Sequence, residues 1–239
     1  MMDKAQREKI ENELTKLTPQ EGLVYVSEFF GEAATLSTSF GLEDQVISYM
    51  IASAKLKVGI FTIDTGRLFQ ETYDVHDLTR KKYQFPISTF YPQTSSVQQL
   101  IDTKGPNSFY ESVDNRKQCC FIRKVEPLQR ALKDKSVWIT GLRADQSANR
   151  GGMKKVEWDE NYQLIKYNPI LDWSLDEVNS FIERNNIPIN TLHKKGFPSI
   201  GCAPCTRAIL SGEDIRAGRW WWESSGKECG LHETKISVK

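Results

Sequence analysis

Residues 33–51, AATLSTSFGLEDQVISYMI, constrain the fold more than any other stretch. They read as a short buried strand, a Ser/Thr/Gly turn, and then a helix with Val46, Ile47, Met50 and Ile51 on one side. KVGIFTIDTG, FPISTFYP and SVWITGLR add three further apolar strands, two of which run into polar turns. Helical stretches lie around them. TPQEGLVYVSEFF opens with Thr18 as cap, Pro19 at the first helical position and Glu21 completing a capping box, and Leu23, Val26 and Phe30 recur on one face. SLDEVNSFIERN carries the same box in Ser174 and Glu177. Strands alternating with helices predict an α/β fold, a mostly parallel sheet with helices on both faces.

The length, 239 residues, fits a single domain. We expect a core over about residues 1–220 and a mobile tail over about 221–239, since periodicity fades beyond about 190. A net charge of +1 gives no general argument for nucleic acid or an anionic membrane. The longest apolar run, VISYMIASA, is too short to span a bilayer. MMDKAQREKIENEL, at the start, has no apolar segment of the secretory kind. A cytoplasmic protein is the expectation. The sequence leaves the oligomeric state open, and a homo-oligomer is compatible with it.

In open parallel sheets ligands bind beyond the carboxyl ends of the strands. STSFG, DTG and TGLRADQS would therefore line one crevice. The backbone N–H groups of the first turn, followed by a helix N-terminus, would suit an anion such as phosphate. It is neither a Walker A loop nor G-x-G-x-x-G, and a plain strand–turn–helix connection has the same look.

The five cysteines divide four and one. Cys119 and Cys120 are adjacent, and Cys202 and Cys205 form a C-x-x-C. An odd count in a reducing compartment argues against a disulfide framework. A vicinal pair does not match the usual spacer of a zinc knuckle. Four thiolates suit an iron–sulfur cluster, with zinc as the alternative and unrelated buried thiols as the plainest reading. Arg116, Lys117, Arg123 and Lys124 flank the vicinal pair, either as a solvated face or as compensation for thiolate charge. Arg143, Arg150, Arg216 and Arg219 are candidate oxyanion clamps. Cys229 stands apart in the polar stretch KECGLHETKIS, as an incidental surface thiol or a reactive one.

Taken together, CCFIRKVEPL, GCAPCTR, GRWWWE and ECGLH resemble the assimilatory adenylylsulfate (APS) reductases of bacteria and plants, relatives of the phosphoadenylylsulfate (PAPS) reductases. The similarity runs from LSTSFGLEDQV to ECGLH. It implies an adenine-nucleotide α-hydrolase-like fold and a [4Fe–4S] cluster on Cys119, Cys120, Cys202 and Cys205. It further implies a modified PP-loop, with Thr38, Ser39 and Gly41 at the substrate, Asp64, Thr65 and Gly66 near the nucleotide, and Arg143, Arg216 and Arg219 on its anionic part. Lys124 matches the family lysine that links cluster and substrate. The tail would carry the nucleophile, Cys229, with His232 matching the histidine three residues later. The activity implied is reduction of APS to sulfite and AMP through an S-sulfocysteine, with thioredoxin or glutaredoxin as electron donor. PAPS, or both nucleotides, is the alternative substrate. A PP-loop ligase or tRNA-thiolation enzyme is disfavoured by the missing S-G-G-x-D-S and by the ECGLH tail. A zinc- or cluster-based interaction module is disfavoured by the nucleotide-like turns.

Overall fold

The computed structural model describes residues 2–146 and 152–223. Two amino-terminal helices, α1 (Lys4–Lys16) and α2 (Pro19–Phe30), lead into β1 (Ala34–Thr38), α3 (Leu42–Ser53), β2 (Gly59–Ile63), α4 (Gln70–Tyr83) and β3 (Ser88–Phe90). Then come α5 (Thr94–Lys104), α6 (Val113–Cys120), a π-helical turn over Phe121–Val125, α7 (Glu126–Leu132) and β4 (Val137–Ile139). A hairpin of β5 (Val156–Asp159) and β6 (Leu164–Tyr167) and the helix α8 (Leu175–Arg184) follow. Beyond α8 the described chain holds only short 3-10 turns.

The sheet has the order β3-β2-β1-β4-β6-β5. All pairings are parallel except β5 with β6. Leu36 of β1 stands between Ile60 and Ile139, so β1 is buried by strands on both sides. One face carries Leu36, Ile139 and Ile165 against Leu23 and Val26 of α2, Val46 and Ile47 of α3, and Val178 of α8. The other carries Phe61, Trp138 and Leu164 against Leu128, Ala131 and Leu132 of α7. The expected layers are present. The hairpin is an addition that the strand reading did not register. Its turn is built by Asp159, whose carboxylate accepts from the N–H groups of Asn161 and Tyr162.

Both expected capping boxes form. Thr18 Oγ1 accepts from Glu21 N while Glu21 accepts from Thr18 N, and Ser174 and Glu177 do the same for α8. A third, Asp3 with Gln6, starts α1. Each cap satisfies N–H groups that the helix leaves open and is worth about 1 kcal/mol. No helix among the described residues is long and apolar enough to cross a membrane.

Strand order decides where a ligand can sit. The chain steps outward from β1 to β2 and β3, then returns to place β4 on the other side of β1. The loops leaving β1 and β4 therefore diverge, which opens a crevice at their carboxyl ends.

Gly22 sets how closely α2 approaches the sheet. A Cβ at Gly22 would lie 2.0 Å from Tyr167 Oη and 2.9 Å from its Cζ. That hydroxyl is buried without a partner among the described residues. Gly22→Ala should therefore lower stability by about 1–3 kcal/mol through overpacking, despite the gain in helix propensity. Tyr167→Phe alone should cost little, because no hydrogen bond is lost. The double variant should recover part of the loss. Urea unfolding of the four proteins checks this, and equal stability of Gly22→Ala and the parent would refute the close-approach account.

Candidate active site

A cavity of about 260 Å³ lies at the crevice between the loops after β1 and β4. Thr38, Ser39 and Gly41 border it after β1, and Thr140, Gly141 and Leu142 after β4. Trp138 and Phe61 contribute apolar wall, and Trp138 is fixed by donating from Nε1 to Ser37 Oγ at 2.8 Å.

The loop after β1 is held by its own side chains. Thr38 Oγ1 accepts from Phe40 N at 3.0 Å, and Phe40 adopts a φ of 61°, stacked on His76. Ser39 donates from both N and Oγ to Asp44 Oδ2, at 2.7 and 2.9 Å. Gly41 is the N-cap residue of α3, and Glu43 and Asp44 occupy its first turn. Burial pushes the Asp44 carboxyl up to about 6, against the lowering effect of its bonds from Ser39. Gly141 presses on the same carboxylate, since a Cβ there would stand 2.3 Å from Asp44 Oδ1. The helix start expected to receive an anion thus holds two carboxyl groups, and the Ser39 N–H is already engaged.

Cations come from elsewhere. Lys124, Arg216 and Arg219 border the cavity. Arg219 is buried, donates from Nη1 to Ser199 Oγ at 3.2 Å and to Ile200 O at 3.3 Å, and lies against Gly201, where a Cβ would be 2.4 Å from Nη2. Arg143 is buried too, but it does not line the cavity. Its Nε pairs with Glu43 Oε1 at 2.8 Å, and Nη1 donates to Trp173 O. Of the DTG turn, Thr65 alone borders the cavity. Asp64 Oδ1 accepts from Gly66 N and from the Tyr73 hydroxyl, which shapes the turn, and Gly66 takes a φ of 71°.

The four core cysteines meet. Cys119, Cys120, Cys202 and Cys205 all line a second, small cavity of about 20 Å³, together with Arg67, Arg116, Arg123 and Lys124. None of the four is joined in a disulfide. Lys124 and Cys202 border both cavities. The π-helical turn begins directly after Cys120. Such turns cluster at functional sites and shift the facing of the residues around them. The C-x-x-C is tied down from several directions. Ala203 N donates to Arg67 O, the Tyr110 hydroxyl donates to Pro204 O at 2.6 Å, and Thr206 bridges to Arg219. Thr65 Oγ1 stands 3.2 Å from Cys202 Sγ, and Arg123 Nη1 donates to Thr65 O. Arg116 forms a buried ion pair with Glu223 at 2.5 Å, over the Trp220 ring.

The environment splits the thiols. Burial opposes ionisation of Cys202, yet Lys124, the Thr65 hydroxyl, Arg219 and Arg123 outweigh it and hold the thiol below its usual range. Burial and neighbouring Cys202 push Cys205 up to about 12, and burial raises Cys119. Among the described residues no three His, Cys, Asp or Glu side chains stand as a ready ligand set for a metal ion. The donor chemistry of the small cavity, four thiols ringed by four cations, nevertheless matches a polynuclear group that carries negative charge through several thiolates.

Lys117 lies on α6 outside this lining. Cys229, His232 and Arg150 lie outside the described residues. Among the site residues not singled out from sequence are Glu43, Asp44 and His193. The first two follow the PP-loop-like turn directly, so acidic residues at a helix start were the available signal. His193 had none.

The chain matches the phosphoadenosine phosphosulfate reductase domain over residues 33–208. A relative from Burkholderia cepacia named adenosine 5′-phosphosulfate reductase is 48% identical over 202 residues, covering 84% of this chain and 81% of the relative. One of the same name from Allochromatium vinosum is 46% identical over 209 residues, covering 87% and 82%. Among solved structures, a phosphoadenylyl-sulfate reductase from Candida auris, in a phosphate complex, superposes with a TM-score of 0.74 at 29% identity, covering 87% of this chain and 98% of that one. An FMN adenylyltransferase from Candida glabrata shares the fold, with a TM-score of 0.56 at 17% identity over 98% of this chain and 78% of that one. The strand order, the crevice beside β1 and these matches agree, and the chain belongs to the phosphoadenosine phosphosulfate reductase domain family, alongside the adenosine 5′-phosphosulfate reductases.

Proposed function

We propose that the chain reduces APS to sulfite and AMP in sulfate assimilation, with electrons from a thioredoxin-type dithiol. One observation carries the reading: Lys124 and Cys202 border both the larger cavity and the four-thiol cavity, so a substrate in the first lies against the cationic edge of the second. The larger cavity, just under the usual range of about 300–1,000 Å³ for ligand pockets, combines apolar wall with a few convergent polar groups.

In this reading the Cys229 thiolate attacks the sulfur of the sulfonyl group. A sulfur–sulfur bond forms, the bond from that sulfur to the bridging phosphate oxygen breaks, and AMP leaves with the electron pair. A donor thiolate then attacks Cys229 Sγ, sulfite departs with the pair of the broken sulfur–sulfur bond, and the donor's second thiol resolves the mixed disulfide. Lys124, Arg216 and Arg219 offset the negative charge that keeps a thiolate and a phosphosulfate apart, and stabilise the charge that develops on the leaving oxygens. His232 would accompany Cys229 on the same segment. Cys119, Cys120, Cys202 and Cys205 would hold a [4Fe–4S] cluster. When bound, that cluster supplies a charged, polarisable centre beside Lys124. The cytoplasm, where thiols stay reduced, suits both the unbridged cysteines and the donor. PAPS would need room and compensation for an added phosphate on the ribose.

Anaerobically purified protein should be brown with about four irons per chain. Cys120→Ser should lose both colour and activity, and a colourless, fully active protein containing one zinc would rule the cluster out. Cys229→Ser should keep colour and AMP affinity but form no sulfite. Incubating the parent with APS alone should add one SO₃ group to the Cys229 peptide, which reduced thioredoxin removes. An adduct on Cys202 or Cys205 would reassign the nucleophile. Arg216→Ala should lower kcat/KM by about tenfold or more, the worth of one charge-assisted bond of about 1.5–3 kcal/mol, at unchanged iron content.

A further inference from the structure

His193 is a residue of the cavity wall that neither the sequence motifs nor the proposed chemistry uses. It sits in the 3-10 turn Thr191–Lys195, which Asn190 starts by accepting from Leu192 N while donating to Thr72 Oγ1. The ring's Nδ1 lies 2.9 Å from Phe197 O. A carbonyl can only accept, so the proton is on Nδ1 and Nε2 is a bare acceptor. Nε2 is buried and has no hydrogen-bond partner among the described residues. Burial also holds the imidazole below its usual range, against the pull of Glu43. A buried polar atom without a partner asks for one, and here its residue lines the cavity that takes the ligand.

We propose that His193 Nε2 accepts a hydrogen bond from a ribose hydroxyl of the bound nucleotide, making His193 a specificity-determining residue. This rests on the nucleotide reading above. APS offers few neutral donors: the two ribose hydroxyls and the adenine amine. Its phosphate and sulfate oxygens carry lone pairs and would oppose Nε2. The charges divide the same way. Lys124 and Arg219 act on Cys202, whereas Glu43, paired with Arg143, acts on His193 and on Asp44. The anionic end of the ligand belongs with the first grouping and its uncharged hydroxyls with the second. A ribose phosphorylated at the bonded hydroxyl has no proton to give there.

The test measures binding of AMP, 2′-deoxy-AMP, 3′-deoxy-AMP and purine riboside 5′-monophosphate to the anaerobically purified protein and to two variants. Asn in His193→Asn reproduces the Nδ1 half of the ring and keeps the bond to Phe197, but removes the Nε2 acceptor. Gln in His193→Gln places an acceptor near Nε2. In the parent, one deoxynucleotide should bind at least about tenfold more weakly than AMP, because the buried acceptor stays unpaired. That penalty should fall below about threefold in His193→Asn and persist in His193→Gln. A penalty undiminished in His193→Asn, or no deoxy penalty in the parent, overturns the proposal. So does a variant that abolishes the amine penalty instead. The parent measurements alone keep it refutable should a variant fail to fold. A parent protein that does not bind AMP at all would overturn the nucleotide reading itself, which separates the two failures.

Discussion

The buried carboxylate of Asp44 joins three parts of the sheet's ligand end. It belongs to the first turn of α3, takes both hydrogen bonds from Ser39 at the end of β1, and lies under Gly141 at the end of β4. The crevice exists because the strand order reverses beside β1. Its shape exists because Asp44 fixes the two diverging loops against one atom pair. This has a cost. A carboxyl raised from its ordinary 3.8 to about 6 disfavours the ionised form by about 3 kcal/mol. The folded state binds the proton more tightly than the unfolded state, so that cost enters as pH rises from about 4 to about 6 and is fully present at neutral pH. The bonds from Ser39 are already included in that value, and without them burial would raise the carboxyl further.

A second constraint follows from how the thiols converge. Cys119 and Cys120 end α6, whereas Cys202 and Cys205 come from a loop after α8. The loop has local bonds, from Thr206 Oγ1 to Cys202 O and from Cys205 N to Cys202 O, and ties from distant parts of the chain add to them. Arg67 and Tyr110 bind its backbone, Thr65 touches Cys202, and the Arg219 segment bridges to Thr206. Thr65 and Arg219 also border the larger cavity. Holding the thiols and shaping the ligand site are thus the work of the same residues. The DTG turn illustrates it: Asp64 and Gly66 brace the turn, and Thr65 both touches Cys202 and reaches the cavity.

Positive charge is distributed with similar economy. Arg143 and Arg116 are each buried against a carboxylate, Glu43 and Glu223, and a buried charge without such a partner would be strongly destabilising. Lys124 and Arg219 lower the ionisation cost of buried Cys202, and with Arg216 they form the cationic part of the cavity border. Arginines that look alike in sequence, each beside a glycine turn, therefore divide into one that supports the loop after β1 and two that face the ligand space.

Much of the fold was legible because local signals and period agree. Thr18, Pro19 and Glu21 announce α2, Ser174 and Glu177 announce α8, and the apolar runs ending in STSFG, DTG and TGLR announce parallel strands whose turns share one end. The cysteine pattern, a vicinal pair with a distant C-x-x-C, was enough to predict that the two segments meet, and they line one cavity. The sequence could not say that Arg143 turns inward to Glu43, that Asp44 rather than a ligand takes the Ser39 N–H, or that Gly22 lies under Tyr167. Nor could it say that His193, with no motif around it, ends on the cavity wall with one nitrogen committed to Phe197 and the other unpartnered. Caps, periods and spacings are written in neighbouring residues. Which polar group pairs with which across a hundred positions depends on the distance and burial that packing alone creates.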